Sequence, residues 1–312
     1  MPARHLFCFL VTCAVWVCSI RGTFAAAGDP LDQWSWRGPG AKESFRGDNY
    51  NSAAWEKDTL VVVGSSHKVL WRNDSDSSWR SFETGTQRPL YGITTANKTF
   101  FAVGARGTIL VSKEGEKWTA RNSGIAVPIS AITYTDSVFV AVGDGGHILT
   151  SRVGREWSPQ PSRVIDSLYG VAFLKGSFVT VGANGVILQS GDGTYWLPQT
   201  SGTTGALRGL AAGGNQFVAV GDDGVILTST HGQTWIPRSS GTGKSLNSVV
   251  YARGTFVAVG AEGTVLSSKD GIDWKVRNSG VTHYLKNVIF ARNAFWIVGW
   301  NGAILESGGF GK

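Results

Sequence analysis

Asp222, Asp223 and Glu262 are the residues of this sequence best placed to do chemistry. Each falls in a short glycine-flanked link, and two carboxylates at the right separation are the equipment of a glycoside hydrolase. Adjacent acids in such a link read first as solvated turn residues, and no base or nucleophile accompanies them. His67, His147, His231 and His283 fall in four different repeat units, a spacing that gathers no zinc tetrad. Asn73-Asp74-Ser75-Asp76 alternates oxygens as a calcium loop does but lacks the glycine and the closing glutamate. It reads as a polar hairpin tip. Cys8, Cys13 and Cys18 all lie in the first 27 residues, leaving the rest without thiolate chemistry. No phosphate loop, nucleotide fingerprint or Ser-His-Asp order is present. No catalytic residue, metal or cofactor is therefore assigned.

The elements that must position such residues are short strands. The chain has 312 residues, 42% hydrophobic and 16% charged, which is ample for a large core. Its 42 glycines and 13 tryptophans against only 9 prolines point to tight turns between short strands, hence to an all-β protein. Residues 1–27 differ. A basic start (Arg4, His5), an apolar run from Leu6 to Val17 and the small residues Ala25-Ala26-Ala27 make the three parts of a secretory signal peptide. The expectation is export to a periplasm or the extracellular space, with residues 28–312 forming one domain. The alternative is a retained membrane anchor. Removing the leader takes Arg4 and Arg21 and lowers the net charge from +7 to about +5. The basic residues are scattered and not interleaved with aromatics, so nucleic acid is not an expected partner. No other apolar run approaches a membrane span, and the mature chain is expected to be a soluble monomer.

Periodicity decides the architecture. An apolar run ending in Val-Gly recurs with its glycine at 64, 104, 143, 182, 221, 260 and 299, spaced 40 and then 39 residues apart. Each unit reads as four strands, for example LNSVVYA, FVAVG, TVLSS and IDWKVR between Leu246 and Gly280. Glycines 115, 154, 193, 232 and 271 mark the hairpin between the third and fourth strands. Four-stranded units of this length arranged radially make a propeller. Trp79, Trp118, Trp157, Trp196, Trp235 and Trp274 recur once per unit and should fill the wedge between blades. The seventh unit lacks its tryptophan, whereas residues 33–40 align with residues 117–124. The fold class is thus all-β: a seven-bladed β-propeller closed by the N-terminal strand, which completes the last blade. Arg37, Arg121, Arg238 and Arg277 follow their tryptophans by three residues and should lay their stems over the rings.

The repeats FVAVGAEGTVLSSKDGIDW, FVTVGANGVILQSGDGTYW and FVAVGDDGVILTSTHGQTW resemble the BNR (Asp-box) class of propeller repeats, most closely the photosystem II stability/assembly-factor-like branch. Only Asp192 and Asp270 keep the aspartate before the tryptophan. The resemblance implies a scaffold that holds or stabilises another protein during assembly. Sialidases share the Asp-box but resemble six-bladed rings, and their Phe/Tyr-Arg-Ile-Pro signature is absent here.

Register places two rings of side chains around the presumed channel mouth. Asn51, Tyr91, Ser130, Tyr169, Arg208, Asn247 and Lys286 occupy the start of the first strands. Ser66, Arg106, Gly145, Asn184, Asp223, Glu262 and Asn301 occupy the glycine-flanked links, with Asp144, Asp222 and Trp300 one position earlier. Types vary while the frame repeats, which is where recognition can be individual. The candidate binding residues are Tyr91, Arg106, Asp144, Tyr169, Arg208, Asp222, Asp223, Glu262, Lys286 and Trp300. The same proximity lets Arg208 pair with Asp223 and Lys286 with Glu262. The expected function is a non-catalytic binding or assembly-assisting protein with a protein partner. The alternative is a carbohydrate-active propeller, either a lectin or a sialidase-like glycoside hydrolase.

Overall fold

The computed structural model describes residues 29–39, 48–135 and 137–310; the expected signal peptide lies outside them. Among the described residues, twenty-eight strands, β1 to β28 in chain order, form seven four-stranded antiparallel sheets. Blade 1 is β2 (Tyr50–Glu56), β3 (Thr59–Gly64), β4 (Lys68–Asn73) and β5 (Asp76–Glu83). Blades 2 to 6 repeat that order over residues 90–121, 129–160, 168–199, 207–238 and 246–277. Blade 7 joins β26 (Leu285–Ala291), β27 (Ala294–Gly299) and β28 (Ile304–Ser307) to β1 (Trp34–Trp36). The first strand of each blade packs against the first strands of both neighbours, so these strands form the inner wall. Among the described residues no helix is long and apolar enough to cross a membrane.

The marker glycine of each Val-Gly is required by space. A Cβ on Gly260 would lie 2.0 Å from the Ser245 carbonyl oxygen, where the chain enters its first strand, and Gly104 meets Pro89 in the same way at 2.2 Å. The hairpin glycines answer to two demands at once. Gly154 has φ 71° and its absent Cβ would stand 2.3 Å from the Phe101 ring of the preceding blade.

Seven apolar clusters fill the seven seams, each drawn from two adjacent blades. The tryptophans sit in these seams as expected. Trp196 joins Val140, Val142 and Ile148 of blade 3 to Leu168, Phe178 and Leu188 of blade 4, and it is fully buried. Burial of such a ring stabilises by about 4 kcal/mol as an upper bound. Trp34 plays the same part between blades 6 and 7, its Nε1 donating to the Leu31 carbonyl at 2.8 Å. β1 pairs antiparallel with β28 in the register Trp34↔Ser307, which closes the ring.

Three of the four recurrent arginines use their head groups to join strands. Arg277 Nε donates to Ser267 Oγ (2.8 Å) and Arg238 Nε to Thr228 Oγ1 (3.0 Å), each tying the fourth strand to the third. Arg37 Nε reaches Glu306 at 2.7 Å.

Candidate binding site at the channel mouth

Each first strand carries a β-bulge at its entry, and the bulged residue is in every blade the one assigned to the inner ring. The pairing skips Asn51 between Tyr50 and Ser52, Tyr91 between Leu90 and Gly92, and likewise Ser130, Tyr169, Arg208, Asn247 and Lys286. A bulge leaves its extra residue out of the ladder and re-aims the side chain. All seven therefore line one central cavity of about 460 Å³, which Asp144 joins from the mouth.

The ring divides by chemistry. Asn51 Nδ2 donates to the Leu90 carbonyl and Asn247 Nδ2 to the Leu285 carbonyl, both at 2.8 Å, so these two stitch neighbouring blades together. Tyr284, which the sequence reading missed, donates its hydroxyl to Asn247 Oδ1 at 2.7 Å. Its ring stacks on Trp300 with centroids 4.4 Å apart, and Trp300 remains 42% exposed. Only its aromatic type at the link before a first strand could have signalled this.

Charge pairing differs from the register-based expectation in both cases. Arg208 holds Asp222, not Asp223, through two bonds: Nε to Oδ1 at 2.6 Å and Nη2 to Oδ2 at 3.2 Å. That guanidinium holds the Asp222 carboxyl below the usual carboxylate range. Asp223 sits at the tip of its turn with φ 54° and is exposed. Glu262, at the equivalent tip, pairs with Lys244 and not Lys286. Arg106 is likewise an exposed tip, with φ 52°. Tyr91 and Tyr169 are partly buried against the cavity. Lys286 is partly buried there too, and desolvation, with the nearby Arg208 charge, pushes its ammonium pKa down. The structure thus gathers Tyr91, Asp144, Tyr169, Arg208 and Lys286 on the cavity and leaves Arg106, Asp222, Asp223, Glu262 and Trp300 on the rim.

Away from the mouth, Asn73 Oδ1 accepts from the Ser75 amide and hydroxyl, and Asp74 pairs with Arg292 at 2.8 Å, as suits a polar hairpin tip. Among the described residues no three His, Cys, Asp or Glu gather to hold a metal.

These features define a seven-bladed β-propeller with a polar, blade-by-blade individual channel mouth. No family model and no curated protein sequence matches the chain. Among solved structures it is similar to YCF48 from Cyanidioschyzon merolae, with TM-score 0.71 and 14% identity over 88% of this chain and 99% of that one. It is similar also to YCF48 bound to D1 peptide, with TM-score 0.73 and 14% identity over 89% of this chain and 96% of the other. Virginiamycin B lyase from Staphylococcus aureus gives TM-score 0.77 at 10% identity over 89% and 99% of the two chains. At such identities the likeness establishes the shared fold.

Proposed function

We propose that this chain is an exported, non-catalytic propeller that assists the assembly or stability of a protein partner, which it grips at the channel mouth. The observation that carries the reading is the bulge ring: seven identical backbone devices aim seven side chains at one opening, and those side chains are not alike. Beside them Trp300 lies exposed on Tyr284, and Tyr284 in turn stands near Arg208. Tryptophan, tyrosine and arginine are the residues that concentrate binding energy at protein interfaces. The solved complex of YCF48 with a D1 peptide supports a peptide or protein ligand for a propeller of this shape, and the Asp-box repeats support the same assembly-factor branch. The basic, apolar and small-residue succession of residues 1–27 supports export.

A photo-crosslinking amino acid placed in the protein in its own host tests this. At Arg106 and Trp300 it should yield a discrete protein adduct, whereas at Thr119 on an outer strand it should yield none. Adducts at Thr119 alone, or none anywhere, would reject the mouth as the docking face.

A further inference from the structure

The channel contains a cation without a counter-ion. Among the described residues, no carboxylate lies within ion-pairing distance of Lys286, and its ammonium makes no hydrogen bond to the protein. The acids nearest in the architecture are committed or remote. Asp222 is held by both bonds from Arg208, Glu262 by Lys244, and Asp144 lines the cavity from blade 3, across the ring from blade 7. Arg208 stands close enough to repel Lys286, which adds to the deficit of negative charge. A partly desolvated ammonium facing a second cation is unfavourable until an anion joins them.

Groups beside it describe the rest of the site. Arg208 uses Nε and Nη2 on Asp222, so its Nη1 remains available, and Tyr169 adds an aromatic wall near that guanidinium. The cavity, at about 460 Å³, has the size of a small-molecule site.

We infer that the channel binds a small organic carboxylate, held by Lys286 and the free Nη1 of Arg208. This goes beyond recognition of a protein at the rim, because the ligand enters the channel and needs neither Arg106 nor Trp300. The two readings therefore fail separately: absence of adducts at the rim would sink the docking reading and leave carboxylate binding standing, and absence of carboxylate binding would do the reverse.

Titration calorimetry with D-glucuronate, citrate, acetate, inorganic phosphate and D-glucose tests it. Glucuronate, citrate and acetate should all bind, and glucose should not. Lys286→Met should weaken glucuronate about tenfold or more, the loss of one charge-assisted bond, while Lys286→Arg stays within about threefold. Because Lys286→Met could disturb folding, wild-type protein with 13C-methylated lysines supplies a second reading, in which the Lys286 resonance should move on adding glucuronate. Absence of binding, equal binding by Lys286→Met, preference for phosphate or glucose, or movement of other lysine resonances alone would overturn the inference.

Discussion

Asp192 shows how a residue that resembles part of a site can belong wholly to the frame. Its Oδ1 accepts from the Thr194 amide at 2.8 Å and the Tyr195 amide at 3.1 Å, and its Oδ2 from the Thr194 hydroxyl at 2.6 Å. These bonds, led by the Thr194 hydroxyl, hold its carboxyl far below the ordinary carboxylate range. The turn they build seats Gly193, whose carbonyl takes the Trp196 Nε1 at 2.9 Å. Asp270 repeats the arrangement on the Ile272 and Asp273 amides. Asp192→Ala should lower stability by about 1 kcal/mol, a modest value because the side chain is exposed. Asp192→Asn, which keeps an acceptor, should lose less. Differential scanning calorimetry should resolve the two as distinct drops in Tm. The Asp-box pattern was visible in the residue string; its structural purpose became visible only once the acceptor bonds were located. The pairing of Arg208 was read one residue out for a similar reason. Which of two adjacent acids faces the strand depends on the left-handed turn at Asp223, and no period reports that.

Strands and their ends account for closure. The outer strands β13 (Ser158–Gln160), β17 (Leu197–Gln199) and β21 (Ile236–Arg238) each carry a central proline, which withholds a donor from the exposed edge. The N-terminal strand needs a different device, since nothing covalent joins it to blade 7. Arg277 of the neighbouring blade is buried and grips Asp29 at 2.8 Å and Asp32 at 2.9 Å, just ahead of β1. Burial raises the Asp29 carboxyl pKa, but the Leu31 amide and Arg277 outweigh it, and the net displacement is downward. A carboxyl with a depressed folded value stabilises fully above its unfolded value near pH 4 and loses that contribution as the pH falls through the folded one. Arg277→Met should therefore melt below the wild type at pH 6, and the gap should narrow as the pH drops toward 3. A gap independent of pH would mean the arginine acts by packing alone. The strand splice was legible because residues 33–40 align with the repeat. The Arg277 clamp was not, because Arg277 and Asp32 are 245 residues apart in the chain.

At the scale of the whole molecule, the period fixed blade number, strand order and the identity of the inner ring. A recurrence of 39 residues must place equivalent positions at equivalent radii. It could not reveal the bulges, which are irregularities in pairing, nor that Asn51 and Asn247 spend their amides on neighbouring blades and leave recognition to the others. Tyr284 was missed because its importance lies in what it touches across a seam. The result is a rigid wheel whose sides are repetitive and whose opening is individual, and the account rests on that opening being the surface that meets the partner. Amide hydrogen exchange of the protein, alone and with the crosslinked partner purified and added back, tests it most directly. Exchange should slow across residues 90–92, 168–170, 207–209 and 285–287 and stay unchanged across the outer strands 119–121 and 236–238. Slowing confined to the outer strands, with the bulges untouched, would contradict the account.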